Sequence, residues 1–335
     1  MKQTMNITYT EEDMGRYNSR EDLQRFYKEK GLDGLELMLC YNPDLPEKVV
    51  PEEVIGIHLR YFPGWLDFWR GNTDALLEEY GNRETWEMFY GAKTPDELLN
   101  GWREELEIAH KTGVKYVVFH VAECTLGETQ TYKPLHSDEE VCDAACEIIN
   151  RLLDGKPYKF YFLVENLWWS GFTMTKPAVT KRLLDGIHYQ NKGIMLDTGH
   201  LLHTNLDLVS QDQGVRYIHS VLDHMGDLAG WIRGIHLNQS ITGDYVKSVL
   251  RQPFSLEGSY WDRLGRLYSH ILRIDCHRPF TASGVPGLIE RLDPAFLTLE
   301  FISTSRQQQE QQLTEQLEAL HRLPTGENPP SPGGA

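Results

Sequence analysis

The sequence has no long apolar segment, few cysteines and no dense run of basic residues. None of its apolar runs approaches the roughly 18–20 residues that a membrane-spanning helix needs. The N-terminal segment MKQTMNITYTEEDM lacks the apolar stretch of a secretory signal. The five cysteines form no CxxC pair and no disulfide-like framework. These absences argue against a membrane protein and against a secreted disulfide-rich protein, and we expect a cytoplasmic protein.

Basic residues are also scarce relative to acidic ones. The 335 residues include 33 Lys and Arg against 49 Asp and Glu, which gives a formal net charge of -16. Such a charge disfavours a nucleic-acid surface and an anionic membrane surface. The charge does not exclude DNA binding, since a local basic loop can outweigh the total, but no dense run of Lys or Arg would form such a loop. We expect a small-molecule substrate, no membrane association and, by preference, no nucleic-acid partner. The sequence leaves a homo-oligomer open.

Short apolar runs alternate with helical patterns along the whole chain. Capping signals at Thr94 and Ser137 open two of the helices. Eight strands are predicted over residues 5–9, 34–40, 54–61, 116–123, 160–167, 193–199, 232–238 and 296–302. This count predicts a (β/α)8 TIM barrel, with a parallel barrel, outer helices and long loops at its C-terminal face.

The barrel is expected to form a single domain over residues 1–323. Its last outer helix is predicted over residues 303–323. The Pro- and Gly-rich tail over residues 324–335 is expected to be disordered. An aromatic stretch over residues 65–91 is interpreted as a long loop. The irregular stretch over residues 238–271 is interpreted as a long loop, with or without a short helix, that lies above the site and helps to select the substrate.

Nine residues that can bind metal ions stand at the ends of apolar runs. The active site of a parallel barrel lies at the C-terminal ends of its strands, so these side chains are expected to converge there. Imidazole and carboxylate ligands together suit Zn²⁺, Mn²⁺ or Fe²⁺. One ion takes about four to six ligands, so nine predict a cluster of two or three ions. The predicted ligands are His58, His120, Glu165, Asp197, His200, His236, Asp275, His277 and Glu300.

Two pairs among these ligands are close in sequence. Asp197 and His200 form a D-x-x-H pair, and Gly199 between them is expected to let the backbone bend. Asp275 and His277 are two residues apart, so on an extended segment they would lie on one face. His203, three residues beyond His200, is left open as a residue behind the ligands.

Five further residues are predicted to contact the substrate. Glu36 is interpreted as a rim carboxylate, a substrate contact or the partner of an arginine. Arg60 and Arg278 are candidate phosphate contacts. Trp65 and Trp168 belong to aromatic clusters that either pack within loops or form a stacking wall for a sugar ring or an apolar aglycone.

The order of these residues resembles the xylose isomerase-like TIM barrels, which include sugar isomerases and epimerases and endonuclease IV (AP endonuclease family 2). The resemblance covers roughly residues 5–305, and its most specific segments are LDTGH and IHLN. It implies a divalent-metal enzyme, because endonuclease IV binds three zinc ions with ligands of these types in this order. The chain departs from endonuclease IV at RPFTASGVPG, where the family commonly has G-E-G, and the DNA-reading loops are not recognisable. The segment DGLEL resembles the sugar isomerase branch.

Two enzyme classes follow from this resemblance. The favoured one is an isomerase, epimerase or related lyase acting on a carbohydrate. In that class Glu165 and Glu300 would move a proton next to a carbonyl, and His200 would bind metal or donate a proton. The alternative is a multi-zinc phosphoester hydrolase that uses all nine ligands. A non-enzymatic metal-dependent binding barrel is the third interpretation.

Overall fold

The computed structural model describes residues 1–321 as a closed barrel of eight parallel strands surrounded by helices. Strands that are consecutive in the barrel sequence are neighbours around it, and the last strand pairs with the first. The barrel strands are β1 (Lys2–Thr8), β2 (Gly34–Met38), β3 (Val54–His58), β4 (Tyr116–His120), β6 (Tyr161–Glu165), β8 (Lys192–Asp197), β9 (Ile232–Leu237) and β10 (Phe296–Leu299). Two short strands, β5 (Ala122–Glu123) and β7 (Ser170–Gly171), form a separate antiparallel pair. The predicted (β/α)8 barrel and its eight strands are confirmed.

Fifteen α-helices lie in this part of the chain, most of them around the barrel. They are α1 (Glu11–Met14), α2 (Arg20–Glu29), α3 (Leu66–Arg70), α4 (Thr73–Tyr80), α5 (Arg83–Tyr90), α6 (Pro95–Thr112), α7 (Glu128–Thr131), α8 (Asp138–Leu153), α9 (Pro177–Gly186), α10 (Thr198–His203), α11 (Gln211–Met225), α12 (Gly243–Arg251), α13 (Tyr260–Ile274), α14 (Val285–Leu292) and α15 (Arg306–His321). Two 3₁₀ helices cover Pro51–Glu53 and Gly226–Trp231. The predicted tail over residues 324–335 lies outside the described residues, as do the last two residues of the predicted domain.

The predicted caps explain where the two long helices α6 and α8 begin. The Thr94 hydroxyl accepts a hydrogen bond from the backbone N–H of Glu97, and α6 ends at Gly113, whose φ is 75°. Ser137 and Glu140 form a reciprocal capping box at the start of α8. These side chains satisfy backbone N–H groups that have no partner within the helix. The sequence signals for both helices are therefore confirmed.

The two segments interpreted as loops are largely helical, which corrects the expectation for the first and exceeds the single short helix allowed in the second. The aromatic stretch contains α3, α4 and α5, and the side chains of Asn72 and Asn82 cap the last two. The stretch after β9 contains α12 and α13, and α13 begins with a Ser259–Asp262 capping box. In the aromatic stretch, helices of only five to eight residues give a weak periodic signal over few turns. Residues from both segments line the cavity beside the barrel mouth.

The interior of the barrel has an apolar end and a polar end. A cluster at the N-terminal end includes Tyr116, Leu163, Met195 and Phe296. The Tyr116 ring lies against Gly56, where a Cβ atom would be only 2.2 Å from it. The buried metal-binding candidates occupy the other end. Within residues 1–321, no helix is long and apolar enough to cross a membrane. The cytoplasmic location stays a prediction.

Candidate metal centre

All nine predicted ligands meet at the C-terminal end of the barrel. Six come from the ends of strands β3, β4, β6, β8, β9 and β10, and the other three come from helix α10 and from the segment after α13. Eight of the nine residues are buried, and the side chain of His120 is 13% exposed. The strand geometry therefore delivers these side chains as the sequence predicts.

Asp275 and His277 reach the site from a different backbone than expected. Asp275 follows α13 directly, and its N–H donates to the carbonyl of Ile271. The φ angle of His277 is 40°, in the left-handed region that is unfavourable for residues with a Cβ atom. These two ligands are thus presented by a helix end and a strained turn instead of an extended segment. Strain of this kind persists where the surrounding structure fixes it, and functional sites are the usual places.

Three ligands, which we call the inner triad, surround one point. They are His58, His120 and Glu165. The two histidine Nε2 atoms are 3.1 Å apart, and each is 3.2 Å from Oε2 of Glu165. Tetrahedral zinc, with ligand bonds of about 2.0–2.1 Å, places neighbouring ligand atoms about 3.3 Å apart. The inner triad therefore has the spacing of a metal site.

The central group consists of Glu165, Asp197, His236 and Glu300. One ligand atom from each lies within 4.8 Å of the others. His236 Nδ1 is 3.2 Å from Oε1 of Glu165 and 3.5 Å from Oε2 of Glu300. Because Glu165 directs Oε2 to the inner triad and Oε1 to the central group, it can bridge two ions.

The outer triad consists of His200, Asp275 and His277. Oδ2 of Asp275 is 3.1 Å from Nε2 of His200 and 2.8 Å from Nε2 of His277. His277 Nδ1 also lies 3.4 Å from Oε2 of Glu300, so the outer triad touches the central group. The nine side chains thus form one continuous cluster.

Two observations fit divalent ions at this cluster. Buried Oε2 of Glu165 and Nδ1 of His277 have no hydrogen-bond partner within residues 1–321. In the same part of the chain, the four ligand carboxylates form ion pairs only with histidines and with no Lys or Arg. Buried carboxylates are costly unless cations compensate them. A set of imidazoles and carboxylates suits Zn²⁺ or Mn²⁺.

Hydrogen bonds to the far ring nitrogens orient three of the histidines. His58 Nδ1 donates to the Leu59 carbonyl at 2.9 Å, and His200 Nδ1 donates to the Asn166 carbonyl at 3.0 Å. His236 Nε2 lies 3.0 Å from the carboxylate of Glu36. Such bonds fix the tautomer and leave the other nitrogen free to bind a metal. They leave Nε2 of His58, Nε2 of His200 and Nδ1 of His236, which are the atoms that face the cluster.

The sequence interpretation missed several polar residues behind the ligands. Asn238 donates to Asp197 Oδ2 at 2.8 Å and to Glu300 Oε2 at 3.3 Å. Ser240 donates to Asp275 Oδ1 at 3.0 Å. Asn238 was visible in the segment IHLN, but a strand-end asparagine alone does not reveal its partners. His203, which the sequence left open, has Nε2 3.5 Å from Asp275 Oδ1 and is 3% exposed.

The charges in the cluster depend on burial and on neighbouring ligands. Burial raises the pKa of Glu165, but His236 and His120 outweigh it and hold the pKa well below its usual value. Burial lowers the pKa of His120 to about 4, so its ring is neutral and able to bind metal at neutral pH. Burial raises the pKa of Glu300 to about 7. Burial opposes the proton on His277, but Asp275 and Glu300 raise its pKa to about 9. A metal ion there would displace that proton.

The five predicted substrate contacts are dispersed. Trp168 lies beside the cluster, with its ring centroid 5.2 Å from that of His200. Arg60 pairs with Glu105, whose Oε1 is 2.9 Å from Nε, and it does not line the cavity beside the cluster. Trp65 is 4% exposed and donates to the Ala122 carbonyl, which places it in the core instead of at the mouth.

Two more placements correct the sequence expectations. Glu36 is 1% exposed and lies below the central group, where it accepts hydrogen bonds from Tyr116 and Thr298 besides His236. It therefore supports a ligand and does not reach the substrate. The exposed Arg278 lines an outer cavity together with Arg273, away from the nine ligands. It has no side-chain hydrogen bond or ion pair within residues 1–321.

Gly199 is needed for space and not for backbone bending. It lies in α10 without a positive φ, and an added Cβ atom would be 1.9 Å from Oδ1 of Asn238. Because Asn238 holds two ligand carboxylates, this close approach is part of the metal-centre architecture.

The fold and the cluster together define a TIM barrel with a candidate multinuclear metal centre at the C-terminal ends of its strands. Residues 25–320 match the sequence model of the xylose isomerase-like TIM barrel family, and the chain belongs to that family. The resemblance predicted from the sequence is thereby confirmed.

Solved structures share the fold at low sequence identity. Endonuclease IV from Thermus thermophilus is 15% identical, with a TM-score of 0.52 and coverage of 96% of this chain and 99% of its own. A structure of AsfvAP:AG is 14% identical, with a TM-score of 0.52 and coverage of 95% and 97%. A D-tagatose 3-epimerase-like protein is 13% identical, with a TM-score of 0.46 and coverage of 96% and 98%. At these identities the likeness establishes the fold alone. A sequence search of curated proteins finds no match.

Proposed function

We propose that this protein is a divalent-metal-dependent hydrolase that cleaves a small phosphoester. The observation that supports this proposal best is the outer triad, His200, Asp275 and His277. It is buried, its side chains lie within hydrogen-bond distance of one another through Asp275, and it contacts the central group. A single-ion isomerase needs about four protein ligands, so it has no use for this additional set. The sequence alone favoured carbohydrate isomerisation, and the continuity of the nine ligands shifts the preference to hydrolysis.

Different residues of the site would have different roles in this hydrolysis. Bound divalent ions would activate water and stabilise the charge on the phosphoryl group and leaving oxygen. Glu165 would hold two ions at a fixed separation, because its two oxygens face different ligand groups. His200 would act as a ligand and not as a proton donor, since Asn166 and Asp275 engage its two ring nitrogens. Asn238 would keep Asp197 and Glu300 aimed at the centre.

The mouth of the barrel supports a small substrate. A cavity of about 290 Å³ opens beside the cluster, between α13 and the loop that follows β3. None of its lining residues within the described part of the chain is Lys or Arg. Nucleic-acid binding depends strongly on Lys and Arg contacts with phosphates. The net charge of -16 points in the same direction.

Carbohydrate isomerisation or epimerisation is the second candidate. The central group, Glu165, Asp197, His236 and Glu300, alone offers the four ligands of a one-ion site. Arg60, a candidate phosphate contact, forms an ion pair with Glu105 instead, and this pairing also favours the alternative. In this chemistry Glu165 and Glu300 would remove and return a proton next to a carbonyl.

Metal stoichiometry separates the two candidates. The full chain would be purified without chelator or histidine tag, and its metal content would be measured by elemental analysis. We expect two or three ions per chain and hydrolysis of bis(4-nitrophenyl) phosphate. Asp275→Asn should remove one ion and lower hydrolysis by about 100-fold or more, because a ligand is lost. Asp244→Asn, at an exposed position on α12, is the matched control.

One ion per chain, with Asp275→Asn leaving metal content and hydrolysis unchanged, would reject the hydrolase. The next measurement would then be solvent deuterium exchange into free and oxidised sugars. Exchange that requires Glu165 or Glu300 would support the isomerase candidate.

A further inference from the structure

The cavity beside the metal cluster is polar at one end and apolar elsewhere. The polar end is formed by three of the nine candidate ligands, His120, His200 and Asp275. Most of the remaining lining is aliphatic or aromatic. Thr129, one of the few polar groups there, already donates its hydroxyl to the Leu126 carbonyl at 2.7 Å. An occupant would therefore gain affinity mainly from apolar burial once its reacting group reaches the ligands.

Helix α13 forms one wall of the cavity with a regular stripe of side chains. The stripe consists of Leu264, Leu267, Tyr268 and Ile271, all of which line the cavity. Their spacing of three, four and seven residues places them on one face of the helix. Tyr268 remains 65% exposed at this wall.

Another part of the lining is aromatic. It includes Tyr61, Phe62, Phe89 and Trp168. Tyr61 stacks on His120 with centroids 4.5 Å apart and an interplanar angle of 24°, yet it is 45% exposed. The exposed faces of Tyr61 and Tyr268 are available to a ligand at the open side of the cavity. Flat aromatic groups prefer such stacked or edge-on arrangements with aromatic walls.

We propose that this cavity binds an aryl ring of the substrate, which would make the substrate an aryl phosphoester. The location of the phosphoester rests on the proposed function, whereas the binding of an aryl group rests on the cavity alone. The volume of about 290 Å³ is close to the lower end of small-ligand pockets, roughly 300–1,000 Å³. A single substituted ring suits this space better than a polycyclic ligand.

Three probes test the proposal on the metal-loaded full chain by calorimetric or NMR titration. Phenylphosphonate carries both the ring and the anionic group, methylphosphonate carries only the anionic group, and toluene carries only the ring. We expect phenylphosphonate to bind at least about tenfold more tightly than methylphosphonate, because the ring buries several additional carbons. Toluene should compete with phenylphosphonate and not with methylphosphonate.

Variants on α13 locate the effect. Leu264→Lys places a charge in the wall and should reduce the phenyl preference to less than about twofold. Tyr268→Asp, at an exposed position that tolerates polar residues, should lower it in the same direction. Ser269→Lys adds the same charge at an exposed position of α13 outside the lining, and it should keep the preference.

The outcomes separate this proposal from the proposed function. Equal binding of the two phosphonates by the wild type would overturn the aryl site while supporting the phosphoester chemistry. Binding of toluene that Leu264→Lys abolishes, together with no binding of either phosphonate, would support the aryl site and count against the hydrolase. A phenyl preference that survives in both Leu264→Lys and Tyr268→Asp would also overturn the proposal.

Discussion

Replacement of Glu36 by glutamine tests how the barrel interior supports the metal centre. Glu36 is 1% exposed and accepts hydrogen bonds from Tyr116 Oη at 2.6 Å, Thr298 Oγ1 at 2.9 Å and His236 Nε2 at 3.0 Å. Burial raises the pKa of Glu36, but the adjacent His236 outweighs it and lowers the pKa. The wild-type side chain is therefore an anion, and the substitution removes a charge at nearly constant shape.

The structure sets the size of the expected effect. Three hydrogen-bond donors converge on the Glu36 carboxylate. In the glutamine variant only the side-chain oxygen can accept, and the NH₂ group must face at least one donor, which then has no acceptor. A buried donor left unpaired costs about 1–3 kcal/mol, so we expect a loss of about 2–4 kcal/mol in the free energy of unfolding. The hydrogen bond from His236 Nε2 to a carboxylate also makes Nδ1 a stronger ligand. Loss of such a partner typically lowers metal affinity by about 10–100-fold.

Two assays and one control separate these effects. Chelator competition gives the metal affinity, and urea unfolding of the metal-free chain gives the stability. Glu53→Gln is the control, because Glu53 is also buried, at 5% exposure, but accepts from Gln24 far from the cluster. It should affect stability without affecting metal affinity. If Glu36→Gln binds metal within twofold of the wild type, then Glu36 does not tune His236 and the reasoning is refuted.

Three further predictions concern two residues next to the ligands and one buried carboxyl group in the short strand β5. Gly199→Ala should displace Asn238 and lower the free energy of unfolding by about 2 kcal/mol or more. It should also weaken metal binding in a chelator competition assay. Gly230→Ala, whose added Cβ atom would have no neighbour within 4 Å, should change neither stability nor metal binding. Burial raises the pKa of Glu123 to about 8, above about 4.3 in the unfolded chain. The folded state therefore disfavours ionisation of the Glu123 carboxyl group. In urea unfolding, the free energy of unfolding of the wild type should fall relative to that of Glu123→Gln as the pH rises from about 5 to 8. A difference between the two proteins that does not change with pH would contradict this. His203→Ala should lower metal occupancy of the outer triad by about 10-fold or more, and His203→Gln should lower it less. Equal occupancy in the wild type and both variants would show that His203 does not support the outer triad.

The sequence predicted the barrel and the convergence of the nine candidate side chains because both depend on local patterns; their role as metal ligands stays a prediction. A buried parallel strand requires a short apolar run, and the residue at its end points into the site, so His120 and Glu165 could be located from their neighbours in sequence. The order of these residues along the chain then identified the family. Neither inference requires knowledge of a contact between distant side chains.

The predictions that needed such contacts were less successful. The sequence position of Arg60 suggested a phosphate contact, but the structure pairs its side chain with Glu105, 45 residues later. Trp65 resembles a stacking platform until its indole N–H is found bonded to the carbonyl of Ala122. A side chain near a strand end has several possible partners, and only the packed structure selects one of them. Substrate contacts are therefore harder to predict than metal ligands, which must converge for a common reason.

The segment between β9 and α14 carries both a wall of the cavity and two of the candidate metal ligands. Helix α13 supplies the wall formed by Leu264 and Ile271, and the residue that follows the helix is the ligand Asp275. Because Ile271 O accepts the hydrogen bond of Asp275 N, the last turn of the wall and the candidate ligand Asp275 belong to one continuous hydrogen-bonded segment. If the cavity binds an aryl ring as proposed, the ring would lie against α13 and next to Asp275. The same helix would then position both the ring and one candidate metal ligand.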